Sequence, residues 1–347
     1  MRVRPVSEGE GGRLRELRMR ALREAPDAFS SSPEREEAFE PAVWEERGRT
    51  VLVAEDGGDW LGMAGWFADP DLPAIANVWG AWVDPRARGR GAGRALVEAV
   101  VDGARGSGHR RLELGVTDRV PAAEALYERT GFHRTGVKKP FEKRAEVTEA
   151  QMALAILPPL PIETERLRLR VHTAADFEPL LAIQSRADVT RLLPWGPRDE
   201  EEVRESLRKK IAATSIEADG DAFTLAIERK DSGAYAGDAT VWMNRHDFRQ
   251  GEIGYVLHPD HHGQGYATEA ARPLLELGFT CFGMRRVIGR TEVRNTASCR
   301  VLEKLGMRRE AHFVENEWFH GEWQSEYAYA VLAAEWRAAQ SQSRRRK

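Results

Sequence analysis

Disulfide chemistry is excluded first, because the 347-residue chain has only two cysteines, Cys281 and Cys299. Two thiols make no framework, and no Cys and His spacing suits zinc, so no metal is expected. Nothing near Cys299 reads as a paired base, which argues against a nucleophilic thiol. No apolar run approaches the roughly 18 residues of a membrane span, and Met1-Arg2-Val3-Arg4-Pro5 lacks the hydrophobic stretch of a secretory signal. The expected compartment is therefore the cytoplasm. Charged residues make up 31% of the chain but cancel to a net charge of -3. That balance gives no global reason to expect nucleic acid or membrane as a partner, and any basic function must be local. Two phosphate motifs are also missing. Gly-x-Gly-x-x-Gly fails because its sixth position is Arg94 counted from Gly89 and Thr268 counted from Gly263, and no Gly-Lys-Ser/Thr triplet follows either stretch.

What is present occurs twice. Val83-Asp84-Pro85-Arg86-Ala87-Arg88-Gly89-Arg90-Gly91-Ala92-Gly93 is echoed by Leu257-His258-Pro259-Asp260-His261-His262-Gly263-Gln264-Gly265-Tyr266-Ala267. Further on, Leu126-Tyr127-Glu128-Arg129-Thr130-Gly131-Phe132 is echoed by Val301-Leu302-Glu303-Lys304-Leu305-Gly306-Met307. Pro85 maps to Pro259 at an offset of 174 and Gly131 to Gly306 at 175. Two motifs in the same order at nearly one offset imply tandem homologous domains, since the period is too long for a solenoid. At 41% hydrophobic residues the chain can bury two cores of about 150 to 190 residues each. The Pro-rich run Leu157-Pro158-Pro159-Leu160-Pro161 interrupts helix and sheet alike, so the expected layout is a domain over 1–157, a linker over 158–161, a second domain over 162–338 and a polar, disordered tail over 339–347.

Apolar periodicity predicts a mixed α/β fold in each half, an α+β arrangement on a mixed sheet. In the first, Leu14, Leu17, Ala21 and Leu22 mark a helix that should stop before Pro26. Strands follow at 50–54, 61–67 and 76–83, a helix at 91–104, a strand at 111–116, a helix at 122–130 and a closing strand near 151–156. The second half predicts a strand at 167–171, helices between 174 and 213, strands at 222–228, 236–243 and 252–257, and a helix at 266–279. A strand at 286–291, a helix at 297–305 and a strand pair around 313–332 complete it. Trp79 and Trp82, an odd number of positions apart, fall on opposite faces of their strand. The ten Trp suit core or dimer contacts, which leaves a homo-oligomer open. Pro273, about two turns into its helix, removes one ladder bond and threatens a kink.

Each repeated loop joins a strand end to a helix N-terminus through small residues, so backbone N–H groups and the positive end of a helix dipole face whatever binds there. A pyrophosphate suits that environment. Arg86, Arg88, Arg90 and Arg94 crowd the first loop, whereas the second has His261 and His262. This predicts a tighter first site at about pH 8 and a second site that gains affinity as His262 protonates.

These residues resemble the GNAT superfamily of acyl-CoA N-acyltransferases, whose signature is Arg or Gln, two residues, Gly, one residue, then Gly or Ala. Arg88, Gly91 and Gly93 fit it fully. His262, Gly265 and Ala267 fit except that His stands where Arg or Gln is usual. The second half is otherwise similar to the RimJ/RimL-like branch, through Glu252-Ile253-Gly254-Tyr255 and Asn295-Thr296-Ala297-Ser298. The resemblance implies two tandem GNAT-like domains, each taking acetyl-CoA as co-substrate in a cleft where two parallel strands splay apart. Gly89, Arg90, Ala92 and Arg94 in the first domain, and Gly263, Gln264, Tyr266 and Thr268 in the second, would then line the diphosphate site. Val83 and Leu257 would offer backbone N–H groups to the thioester carbonyl as it gains negative charge.

Acetyl transfer needs a neutral nitrogen, and stripping a proton from an alkyl ammonium with a pKa near 10.4 costs roughly 4.6 kcal/mol at pH 7. Glu252 is the candidate for holding the amine or relaying its proton through water; a surface Glu at a strand start is the alternative. The departing thiolate also needs a proton. Tyr127 occupies the position from which the family often supplies it, although an amphipathic core Tyr reads the same. Leu302 replaces it in the second domain, where Ser298 is the family-guided candidate and a helix cap is the alternative. Asn295 either caps that helix or binds pantetheine; the first domain has Val120 there. The acceptor is expected to be a small-molecule primary amine attacked directly in a ternary complex. The alternatives are a protein N-terminus, as the second half's branch suggests, or one domain that only senses acetyl-CoA.

Overall fold

A computed structural model describes residues 1–70, 72–142, 144–319 and 321–345. It separates into two units, Met1–Leu157 and Pro158–Lys347. The first contains β1 (Arg2–Pro5), α1 (Gly11–Glu24), α2 (Pro33–Glu37), α3 (Pro41–Gly48), β2 (Val51–Asp56), β3 (Asp59–Ala68), β4 (Ile75–Val83), α4 (Ala92–Gly106), β5 (Arg111–Thr117), α5 (Pro121–Arg129), β6 (His133–Phe141) and β7 (Arg144–Ala155). Leu14, Leu17, Ala21 and Leu22 are all buried along α1, which ends at Glu24, ahead of Pro26. Pro33 and Pro41 open α2 and α3 from the first helical turn, where a missing N–H costs nothing.

The seven strands run in the order β1-β2-β3-β4-β5-β7-β6. Among the described strands of this unit only β4 and β5 pair in parallel, and that pairing covers Ile75–Asn77 against Arg111–Glu113 and then stops. Helix α4 packs on one face with Leu96, Val97 and Val100. Helices α1 and α3 pack on the other with Leu14, Leu17 and Trp44. Covering both faces explains why the middle of β3, from Trp60 to Trp66, is buried without alternation.

The second unit contains β8 (Ile162–Glu163), β9 (Leu167–Arg170), α6 (Phe177–Gln184), α7 (Ala187–Thr190), α8 (Glu200–Ala212), β10 (Ala222–Arg229), β11 (Tyr235–Arg245), β12 (Gln250–Leu257), α9 (Tyr266–Thr280), β13 (Arg286–Glu292), α10 (Thr296–Lys304), β14 (Arg308–Phe319), β15 (Glu322–Leu332) and α11 (Ala333–Arg345). Asp199 starts α8 with a reciprocal cap to Glu202. The strand order is β14-β15-β13-β12-β11-β10-β9-β8. Again one described pair is parallel, β12 with β13, and it covers only Gln250–Glu252 against Arg286–Ile288.

Several expectations change. Trp79 and Trp82 lie on the same face, not opposite ones, because Gly80 adopts a φ of 67° and the register shifts there against β3. The extra residue of this bulge restores both indoles to the α1 side, where Trp82 joins the core and Trp79 packs against it. The closing strand of the first unit is longer than its apolar part and forms a hairpin with β6. Helix α9 is continuous through Pro273. The polar tail is helical as far as Arg345; Arg346 and Lys347 lie outside the described residues.

Candidate active site

Both repeated loops follow one local plan. A short 3-10 turn at Pro85–Ala87 or Pro259–His261 leads into a left-handed backbone that glycine adopts without strain. Gly89 and Gly91 have φ of 74° and 83°, and Gly263 and Gly265 have 73° and 82°. Gly91 and Gly265 are the N-caps of α4 and α9, and neither helix start receives a side-chain cap. Their first-turn N–H groups, at Ala92, Gly93 and Arg94 and at Tyr266, Ala267 and Thr268, are therefore left for a ligand. This fits a diphosphate.

The third signature position differs for a packing reason. A Cβ on Gly93 would meet Leu126 Cδ2 at 2.9 Å. In the second unit Ala267 stands there and Val301, one methylene shorter, takes the place of Leu126.

The strand ends also match. Asp84 donates its N–H to Leu61 on β3 and His258 donates its N–H to Ala236 on β11. Backbone direction alternates along a strand, so the N–H groups of Val83 and Leu257 point the other way, into the gap left by the missing parallel pairing. The carbonyls facing that gap are occupied. Arg88 Nε donates to Val83 O at 3.0 Å, and His262 Nε2 lies 3.0 Å from Leu257 O. A carbonyl can only accept, so His262 Nε2 carries the hydrogen. His262 thus makes the bond of Arg88 with an imidazole nitrogen in place of a guanidinium.

Around the first loop every arginine has an acidic neighbour. Arg86 and Asp84 pair at 3.0 Å, Arg88 and Glu24 at 2.7 Å, Arg90 and Asp56 at 2.8 Å, Arg94 and Glu98 at 2.7 Å. The four arginines are largely exposed, although Asp84 is buried, and exposed pairs such as Arg90 with Asp56 and Arg94 with Glu98 are weak enough for a diphosphate to displace. Tyr127 lies with the α4-side core, its ring 5.7 Å from Phe132. Burial pushes its phenol up to about 12, which keeps the proton on oxygen. A cavity of about 440 Å³ lies farther along β5, between Val116, Glu124 and Lys138, and no residue of the first loop lines it.

In the second unit the expected residues converge on one cleft of about 1240 Å³. Its walls include His262, Gly263, Gly265, Tyr266, Ala267 and Thr268 from the loop, then Leu257 and Glu252 from β12, and Asn295 and Ser298 at the start of α10. Gln264 is not part of the wall. Its amide donates to Asp260 O at 3.0 Å and its carbonyl accepts from Arg166, so it braces the loop. Asn295 Oδ1 caps α10 by accepting from Ser298 N at 3.0 Å. Glu252 is the residue at which parallel pairing ends. Burial raises its carboxyl above the usual range, against a stabilising hydrogen bond of 2.8 Å from Asn244 and the nearby charge of Arg290. A carboxyl whose proton affinity is raised in this way is a better proton acceptor than an exposed carboxylate.

Tyr255, Trp242 and Arg290 are among the cleft residues outside the sequence assignment. Tyr255 is the most telling, since its hydroxyl lies 3.0 Å from Ser298 Oγ. Arg290, on the splayed part of β13, pairs with Glu326 and, at 3.4 Å, with Glu317.

Comparison with known proteins agrees with this geometry. The family model "Acetyltransferase (GNAT) family" matches residues 14–132, and "Acetyltransferase (GNAT) domain" matches residues 166–308. An uncharacterized N-acetyltransferase of Bacillus subtilis, YnaD, is 32% identical over 50% of this chain and 98% of its own length. A mycothiol acetyltransferase of Acidothermus cellulolyticus is 29% identical and covers 76% of this chain and 78% of its own. An acetyltransferase (GNAT family) structure from Bacillus anthracis is 32% identical over 50% of this chain and 99% of that one, with a TM-score of 0.45. Two loops of one design, each at the mouth of a splayed parallel pair and each inside a matching family model, make this chain a tandem member of the GNAT acetyltransferase family.

Proposed function

We propose that the chain transfers acetyl from acetyl-CoA to the primary amine of a small molecule, by direct attack within a ternary complex. The observation that carries this reading is the continuity of the second cleft, from the uncapped start of α9 past the gap-facing N–H of Leu257 to Glu252. The α9 amides hold the diphosphate and Leu257 N–H receives the thioester oxygen. Glu252 takes the ammonium proton. The freed nitrogen pair forms the new C–N bond, the C–S bond breaks with its electrons on sulfur, and Ser298 steadies the thiolate. In the first unit Val83 N–H and Tyr127 are assigned the corresponding tasks. A small acceptor is favoured over a protein N-terminus because a relative named for mycothiol aligns across most of the chain.

The test is a screen of small amines and peptide N-termini with the full chain carrying Gly91→Val, which breaks the first loop so that free thiol release from acetyl-CoA reports the second unit. Turnover of a small amine that falls at least tenfold in Glu252→Gln supports the reading. Turnover confined to peptides, or untouched by that change, contradicts it.

A further inference from the structure

Subtracting the offset of the repeat sets three positions of the two units side by side. Where the first has Ala81, Ala123 and Tyr127, the second has Tyr255, Ser298 and Leu302. The phenol has not been lost; it stands on the other wall of the gap. Ala81 and Ala123 both pack on the α4-side core that holds Tyr127, so these positions share one region of the fold. In the second unit Tyr255 reaches across from β12 to the start of α10, with its hydroxyl 3.0 Å from Ser298 Oγ and 3.3 Å from Ser298 O. Both residues line the cleft. Burial raises the phenol above its usual value although the bond to Ser298 opposes this, so the hydroxyl remains a donor.

We propose that Tyr255 is a positioning residue that acts through Ser298, an inference that rests on the reading of the second cleft as an acetyl-transfer site. Tyr255 O–H donates to Ser298 Oγ. With that lone pair occupied, the Ser298 hydrogen is aimed away from Tyr255, at the sulfur that gains charge as the C–S bond breaks. Aligned hydroxyls polarise one another, so the outer donor strengthens the inner one. The nitrogen sheds two protons: the first passes through Glu252 and water to solvent, and the second, lost once the C–N bond has formed, returns by the same route to neutralise the thiolate. Both hydroxyls end as they began.

The experiment uses the full chain carrying Gly91→Val, which a left-handed backbone resists, so that the first loop is broken and turnover reports the second unit. Amine-dependent thiol release is measured for Tyr255→Phe, Ser298→Ala, the double variant and Ser298→Thr, with CoA binding by calorimetry as the check of folding. Tyr255→Phe should lower kcat roughly five- to tenfold, the scale of one neutral hydrogen bond, with KM for acetyl-CoA unchanged. The double variant should be no slower than Ser298→Ala, and Ser298→Thr should retain its dependence on Tyr255. Full kcat in Tyr255→Phe, or losses that multiply in the double variant, would overturn the proposal. Absence of any thiol release in the Gly91→Val chain, with CoA still bound, would overturn acetyl transfer in the second unit and the role of Tyr255 with it; those two failures are thereby told apart.

Discussion

Replacing His262 isolates what the first signature residue does. Its ring nitrogen holds Leu257 O at 3.0 Å, on the edge of β12 that faces the gap. A partly buried neutral hydrogen bond contributes about 0.5–1.5 kcal/mol, which is roughly two- to twelvefold in an equilibrium constant. The loss in His262→Ala should fall on substrate binding rather than folding, because the other edge of β12 stays paired with β11 along its length. His262→Gln restores an N–H donor, as the family signature does, and should recover most of the affinity. The assay is acetyl-CoA KM together with CoA calorimetry on full chains carrying Gly91→Val, with thermal unfolding alongside. Equal weakening by Ala and Gln, or a fall in Tm with unchanged KM, would refute the reasoning.

Three further outcomes are expected. Gly93→Ala should destabilise the first unit by about 1–3 kcal/mol through overpacking on Leu126. Adding Leu126→Val, which copies the pairing of Ala267 with Val301, should recover most of it in thermal unfolding. Glu252 is held above the ordinary carboxylate range by burial, so its protonated form is favoured by folding; that contribution is complete at low pH and lost as pH rises through the raised value. Glu252→Gln should thus gain stability relative to the parent as pH rises from the ordinary carboxylate range through the raised value, while kcat/KM of the parent falls on the acid side of the same titration. Tyr127→Phe, in a chain whose second loop is broken by Gly265→Val, should lower kcat at least tenfold with little change in CoA affinity; unchanged kcat would return Tyr127 to the core.

Much of this was legible in the sequence, and for a physical reason. Elements that bury one face or both leave a period in the apolar residues, which located α1, β3, α4, α9 and the strands around them. The loops were legible because left-handed turns demand Gly, and the tandem repeat supplied a control within one chain. Elements that bury little left no such trace. Strand β6, with Lys138 and Lys139 exposed, reads as loop, and the five-residue α2 is held by Ser32 and Pro33 rather than by periodicity. Gly80 inserts one residue without altering composition, so strict alternation misassigned the two indoles. Tyr255 was visible only as part of a motif. Its partner lies 43 positions away, across a gap that forms because two strands stop pairing, and spacing along one strand carries no record of that.

The most direct measurement is a crystal structure of the full chain with CoA. The account expects a diphosphate on the amides of residues 89–94 and 263–268, and pantetheine in the gaps beside Val83 and Leu257. CoA bound elsewhere, or either gap bridged by continued pairing of its parallel strands, would contradict it.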